Sequence, residues 1–551
     1  MIITRETDIS HQGKELGCFW ENADYACAWK GLVFIPGVQA GQPSVEYVVR
    51  SLAEEERTLP EALLPLKGIF FLTIRDKRRQ VNYVLTDNSG LFKGYFAKRL
   101  IGTSYLELVR HLRLRTGDLS PEAVVEFLHL GNIYFNRTFT PGIEKIGHDE
   151  ILTFGPDGEV QQIPKPLPAL ENPPTYSLTE YFQELAASIR GENISLDLTG
   201  GFDSRLVACL LDHAGLDFEV SLSGAKTYGD FAIARKVADA LGKELQVTYH
   251  QVNENVGDVE ALFQVEDGLG DVLTFHRLSQ YHSDRRERGV TLALSGVGGE
   301  LYKDFWWLQD FPFYNTLRPN IARLYDLRIE PLRFPHSILA NDLEELSINF
   351  RARMLKALAR YLDDSNTKTY DRIYYYFKMQ EMAGRIATST INHYLNLFIP
   401  LLDPDLVTVG FNLPRRQRFF NSYHRSLLYR LYPQVAKIRT TEGVTASLSP
   451  AALSTDIARY IGNKGKRALK KVSQRLWGQT RFQDDPDHPD LRRSICSLRL
   501  TGDMLTSLKD HGILNPVLCK DGLNLRYLGR ILTLGLLLGE LNQGRNQPDV
   551  I

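Results

Sequence analysis

Cysteine is scarce in this chain. Five residues, Cys18, Cys27, Cys209, Cys496 and Cys519, are scattered through 551 positions. The number is odd and no two have metal-ligand or redox spacing, which excludes a disulfide framework and a cysteine zinc site and suits a reducing compartment. An excess of one charge is missing too: 65 Lys and Arg against 66 Asp and Glu leave a net −1. Nothing in that balance predicts nucleic acid or an anionic membrane as a partner. Long apolar runs are absent. The most apolar late stretch, Ile531 to Leu538, is too short to span a bilayer and follows Arg530, so it is expected as a buried helix. The N-terminus, MIITRETDISHQ, lacks the apolar core of a secretion signal, and the expected location is the cytoplasm. What remains is 43% hydrophobic and 24% charged, with length enough for two or three domains.

The first third reads as β-rich. Gly68 to Ile74 and Val81 to Leu85 form strands around an Asp76–Arg79 turn, and Asp87-Asn88-Ser89-Gly90 ends the second. Helices follow near Tyr105–Leu112 and over Pro121–Leu130, the latter with Ser120 as N-cap and Pro121 at its first position. Pro164 to Pro174 (PKPLPALENPP) holds five prolines and reads as a linker. Ser177-Leu178-Thr179-Glu180 is a capping box that opens the next helix. The expected division is 1–163, a 164–176 linker, and 177–551.

From Asn193 strands and helices alternate. Strands are expected over Ile194–Leu198, Phe218–Leu222, Leu245–Tyr249 and Val290–Leu294, with helices over Asp203–Asp212, Asp230–Leu241 and about Thr274–Arg288. That spacing predicts a doubly wound parallel sheet, whose ligands bind at the carboxyl ends of strands. Beyond Trp306 the pattern is mostly helical, with a polar loop at Asp484–Pro489. His276 and His282 share one predicted helix and read as solvated or core residues. Trp306 and Trp307 read as core.

Two strand ends carry the chemistry. Thr199-Gly200-Gly201-Phe202-Asp203-Ser204 joins a strand to a helix. Adjacent glycines admit close backbone approach, and a helix start offers unpaired N–H groups and a positive dipole end, which together suit a phosphate-sized anion. The loop is neither a Walker A nor a GxGxxG turn. The plainer alternative is an ordinary Gly-rich βα turn. Leu294-Ser295-Gly296-Val297-Gly298-Gly299-Glu300 also follows a strand. Two such loops, each with a carboxylate, are harder to explain as plain turns than one.

The first loop resembles the S-G-G-x-D-S pyrophosphate loop of the ATP pyrophosphatases, and the second resembles S-G-x-G-x-D-E of the asparagine synthetase family. Further resemblances to that family run in order along the chain: GIFFLTIRD, DNSG, GTSYLELV and FTPGIEKIGHDEILTF in the first third, FIPLLDPDL at Phe398–Leu406, and KIRTTEGV at Lys437–Val444. The resemblance implies an α/β protein: an N-terminal glutaminase-like (Ntn-type) β-rich sandwich, then an ATP pyrophosphatase domain with a helical C-terminal part. It implies ATP and Mg²⁺ as cofactors. Thr199, Gly200, Gly201, Asp203, Ser204, Ser295, Gly296 and Gly298 would hold nucleotide phosphates. Leu196, Leu222, Ser223 and Gly224 would line the nucleotide, and Asp203 with Glu300 would hold the metal. Asp230 and Arg235 resemble a family D-x-x-x-A-R pattern and read equally well as an exposed helical pair.

The chain departs from the family at several places. Residue 2 is Ile2, where the glutaminase nucleophile would be an N-terminal cysteine. Asn88 stands where the family carries arginine. Glu300 replaces aspartate, and Leu301 replaces the next glutamate. Thr441 occupies the position of a charge-stabilising lysine, leaving Lys437 or Arg439 as nearby substitutes. The expectation is an ATP-dependent, AMP-forming amide ligase that does not hydrolyse glutamine, akin to β-lactam synthetases and lasso-peptide cyclases. Its substrates would be a small-molecule or peptide carboxylate and an amine, and a homodimer is left open. The alternative is a degenerate nucleotide-binding homologue.

Overall fold

The structure is a computed structural model that describes residues 1–7, 18–54, 57–225, 229–250, 257–303, 319–363, 365–459, 461–462 and 489–543. Trp306, Trp307 and the Asp484–His488 part of the polar loop lie outside the described residues.

Ten strands in the first third form two antiparallel sheets. The larger has the order β10-β9-β5-β4-β3-β2, built from β2 (Phe19–Glu21), β3 (Tyr25–Phe34), β4 (Lys67–Asp76), β5 (Val81–Thr86), β9 (Glu150–Phe154) and β10 (Val160–Pro164). The smaller has the order β1-β7-β6-β8, from β1 (Ile2–Ile3), β6 (Tyr95–Ala97), β7 (Leu100–Gly102) and β8 (Glu144–Lys145). Period-2 alternation sorts β4 between two cores. Phe70, Leu72 and Ile74 join Val45, Val48 and Val49 of the helix Gln42–Ala53 on one face. Ile69 and Phe71 point into the main core on the other. Each such side chain contributes about 1.5–3 kcal/mol by leaving water, and a one-residue slip of β4 would send each set into the core shaped for the other.

The segment after β10 is docked against its surroundings. Lys165 is buried and donates to the Thr86 carbonyl at 3.1 Å, and Leu170 is buried as well. The helix Leu178–Ser188 then opens with the capping box, in which Ser177 Oγ accepts from the Glu180 N–H and Glu180 accepts from the Ser177 N–H.

The third sheet is wholly parallel, in the order β13-β12-β11-β14-β15. Its strands are β11 (Ile194–Asp197), β12 (Glu219–Ala225), β13 (Leu245–His250), β14 (Leu292–Leu294) and β15 (Asn396–Phe398). Two details differ from expectation. Strand β12 continues through Gly224, because Ser223 and Gly224 pair with Thr248 and Tyr249 of β13. Strand β15 was not anticipated, since three residues carry no readable period; it pairs along β14 and extends the sheet's far edge. The order runs outward in both directions from β11 and β14, which places the topological switch point between those two strands.

Polar residues within buried β11 and β12 have a specific cause. Arg285, on the helix Val272–Glu287, is fully buried and reaches Ser195 at 3.1 Å, Ser221 at 2.6 Å and Asp197 at 2.6 Å. One guanidinium thus ties a helix to two strands. His282 on the same helix is buried as a core residue, and His276 Nδ1 lies 2.6 Å from the Leu273 carbonyl. The late apolar run forms part of the buried helix Leu525–Gln543. No helix among the described residues is long and apolar enough to cross a membrane.

Candidate functional site

Strands β11 and β14 lie side by side, with Leu196 opposite Leu294. Their carboxyl ends therefore release the two glycine loops into the same space. The loops touch. A Cβ on Gly296 would sit 2.5 Å from Ser204 Cα and 2.6 Å from Ser204 N, so only glycine lets the second loop lie against the start of the first loop's helix. A Cβ on Gly299 would overlap the Asp203 carboxyl group. Gly298, at φ 102°, packs against Leu401 and Leu402, so the Pro400–Asp403 stretch buttresses the second loop.

The first loop is braced by its own hydroxyls. Ser204 Oγ accepts from the Thr199 N–H at 3.0 Å and lies 3.1 Å from Thr199 Oγ1. The helix Asp203–His213 that follows has no side-chain N-cap. A first turn left uncapped, at a strand end with space beside Gly201, is suited to an anion. On this ground the loop fits a nucleotide phosphate.

The carboxylates at 203 and 300 sit on the same side and act on one ammonium. Lys303 Nζ forms an ion pair with Asp203 Oδ2, and His424 Nε2 lies 3.0 Å from Asp203 Oδ1. Burial pushes the Asp203 carboxyl up, but Lys303 and His424 outweigh it and hold the group below the usual carboxylate range. Burial pushes the Lys303 ammonium down, and Asp203 followed by Glu300 reverses that and raises it. The Tyr374 hydroxyl donates to Glu300 Oε2. Burial and then Glu300 push that phenol well above its ordinary value. Two hard carboxylates sharing one cation form a donor set that fits a divalent ion such as Mg²⁺, given displacement of Lys303 and water in the remaining positions.

A third wall comes from Asp230, at the start of the helix Asp230–Leu241, and from Thr441. Asp230 is buried, against the alternative that it is an exposed helical residue, and Thr441 Oγ1 donates to Asp230 Oδ1. Both crowd Gly200, where any Cβ would overlap Thr441 Oγ1. Arg205 fastens the same region. It is fully buried and donates to the Ile438 carbonyl at 2.6 Å and more weakly to the Gly200 carbonyl at 3.4 Å.

The residues expected from sequence are unevenly gathered. Thr199, Gly200, Gly201, Asp203, Ser204, Ser295, Gly296, Gly298, Glu300 and Thr441 converge at the two strand ends. Ser295 is buried and donates its N–H to the Phe398 carbonyl at 3.1 Å. Leu196 and Leu222 have their side chains in the hydrophobic core, so a contact with nucleotide would be through backbone. Ser223 and Gly224 are half-buried on β12, one strand from β11. Lys437 and Arg439 are exposed, and neither has a hydrogen-bond or ion-pair partner among the described residues. Asp403 N-caps the helix Pro404–Asn412 and lies 3.3 Å from Lys67 of β4; burial pushes its carboxyl up to about 6.

Sequence reasoning missed Lys303, His424 and Tyr374. Lys303 lies three positions beyond Glu300 and was open to notice as a cation beside a carboxylate loop. His424 and Tyr374 are brought in from distant helices and gave no local signal.

Residues 189–437 match the family model for asparagine synthase. The matched span contains the whole parallel sheet, both glycine loops, Lys303, Tyr374 and His424. Arg439 and Thr441 lie just beyond its end. No curated protein matches the chain.

Proposed function

We propose that the chain is an ATP-dependent ligase that adenylates a substrate carboxylate, releasing pyrophosphate, and passes the acyl group to an amine with release of AMP. The observation that carries this reading is the contact of the two glycine loops at the switch point, where Gly299, next to Glu300, lies against the Asp203 carboxyl group. The match to asparagine synthase supports ATP-dependent amide ligation as the general activity.

The uncapped helix start and the Thr199–Ser204 backbone would hold the β- and γ-phosphates. Asp203 and Glu300 would hold Mg²⁺, which supplies charge neutralisation on the leaving pyrophosphate. Lys303, released from Asp203, would add a second positive charge close by. Thr441 is held on Asp230, so it would position the loop rather than carry charge. In this reading an amine from solution or from the substrate itself captures the acyl-adenylate, without glutamine hydrolysis. The N-terminal β-rich third would act as a glutaminase-like scaffold, with Ile2, which carries no nucleophile, in β1 opposite Gly102 of β7.

A second reading has one specific support. Asp203 Oδ2 already pairs with Lys303, Oδ1 lies 3.0 Å from His424 Nε2, and Thr441 brings no charge. That arrangement suits a protein that binds nucleotide and turns over little. The deciding experiment measures AMP and pyrophosphate release across a panel of carboxylates and amines, with nucleotide binding measured in parallel. Stoichiometric AMP with one pair supports the ligase. Tight ATP binding with no AMP across the panel supports the second reading, and no ATP binding contradicts both.

A further inference from the structure

A large cavity lies away from both glycine loops. It measures about 1180 Å³, and none of residues 199–204 or 295–303 lines it. Its walls come from the N-terminal third, from the proline-rich stretch after β10, and from helices between Phe350 and Gln380. The proline-rich stretch is thus one side of a chamber as well as a connection.

Five Lys and Arg side chains line the cavity together with three acidic ones, Glu122, Glu126 and Asp149, and the pairing among them is uneven. Arg137 pairs with Glu126, and Arg372 pairs with Glu171 and Asp363. Arg353 and Arg360 have no carboxylate partner among the described residues. Arg353 donates to the Leu346 carbonyl at 3.3 Å, and its Nε has no partner. Arg360 donates to the Ala357 carbonyl and lies 4.4 Å from the Phe135 ring centroid. Lys165 adds a buried amine with only a backbone carbonyl on it. Burial pushes that amine down to about 8 and His148 down to about 4, and nearby carboxylates, Asp149 among them, offset this only in part. Flat rings complete the lining. Tyr361 and Tyr376 are parallel to within 6°, with centroids 6.2 Å apart, and His148 lies 5.7 Å from Tyr376.

We propose that this cavity binds a small anion carrying a flat unsaturated ring, with the ring against the Tyr361–Tyr376 wall and the anionic group between Arg353 and Arg360. Two guanidiniums without carboxylates supply charge-assisted, bidentate donors suited to phosphate or carboxylate. Parallel tyrosines supply an apolar face that a planar ring covers without ordering many rotors. The site is separate from the nucleotide loops and does not depend on the ligase reading.

Isothermal titration of the full chain, saturated with ATP, tests this with 1-naphthyl phosphate and 1-naphthoate as probes and with 1-naphthol and inorganic phosphate as controls. At least one aryl anion is expected to bind at a single site, about tenfold or more tighter than either control. Comparison of the two aryl anions tells phosphate from carboxylate. Arg353→Gln with Arg360→Gln is expected to weaken that binding about tenfold or more while leaving ATP affinity and melting temperature unchanged. If the double variant does not fold, Tyr376→Leu, which keeps both guanidiniums, is expected to show the same loss. Absence of saturable binding by both aryl anions overturns the proposal. So does binding no tighter than the controls, displacement by added ATP, or undiminished binding in a folded variant.

Discussion

Two aspartate turns, one among the antiparallel strands and one in the parallel sheet, look alike in sequence and differ in what surrounds them. Asp87, in the Asp87–Gly90 turn after β5, is consumed by its own neighbours. Its carboxylate accepts from the Ser89 N–H at 3.1 Å, the Ser89 hydroxyl, the Leu91 N–H at 3.1 Å and the Phe92 N–H at 2.7 Å. Asp203, in the Thr199–Ser204 turn after β11, instead faces a lysine 100 residues away and a histidine from a distant helix. A carboxylate satisfied by local backbone N–H groups holds a turn in shape. One met by mobile or titratable cations from other elements is placed where charge can be exchanged for a ligand.

That contrast can be broken by making the same change twice. Asp203→Asn is expected to lower AMP formation on the order of 10³-fold, because it removes the charge that faces Lys303 and a metal donor. Asp87→Asn is expected to cost about 2–4 kcal/mol of stability, since an amide cannot accept all four bonds, while ATP affinity of the folded fraction stays unchanged. Parallel denaturation curves and nucleotide titrations check both. Equal losses of nucleotide affinity in the two variants would erase the distinction.

A finer test concerns the third wall. Gly200→Ala places a methyl group against Thr441 and Asp230 and is expected to weaken ATP binding about tenfold. Adding Thr441→Ala removes the colliding hydroxyl and is expected to restore a large part of that affinity. No rescue would mean that the methyl group blocks phosphate directly.

The smallest effect on the site itself is expected from acid. Burial, then Arg285, pushes His282 down to about 3, against an ordinary value of 6.5. Between those values the unfolded chain binds a proton that the folded chain does not, so stability rises as pH climbs from about 3 to about 6.5 and is lost on acidification. The contribution is on the order of 4 kcal/mol. His282→Asn is expected to flatten the pH dependence of the melting temperature over that window while leaving ATP affinity at pH 7 unchanged.

Much of the parallel half was legible in the sequence because its signals are local. Alternating strand and helix patterns placed β11, β12, β13 and β14, and the helix Asp230–Leu241 falls where its period predicts. The capping box at Ser177 and the N-cap at Ser120 are likewise written within four residues. What stayed hidden depends on pairing across distance. Strand β15 has three residues and exists because β14 offers an edge. Ser195 and Ser221 look like flaws in buried strands until Arg285 is seen to bind both. Asp230 reads in sequence either as part of a family pattern or as one of an exposed helical pair, and in the structure it is buried and bonded to Thr441. At the site, the loop sequences marked the two glycine turns and the carboxylates that the structure brings together. Lys303, three positions beyond Glu300, was open to notice, but His424 and Tyr374 were out of reach, since no local pattern says which distant side chain will meet which acid.

The most direct measurement is a crystal structure of the full chain with a non-hydrolysable ATP analogue and Mn²⁺, using the anomalous signal of the metal. The account predicts the triphosphate on the Thr199–Ser204 backbone and one Mn²⁺ within about 2.5 Å of both the Asp203 and Glu300 carboxylates, with Lys303 moved off Asp203. A nucleotide bound elsewhere, or a metal held by neither carboxylate, would contradict it.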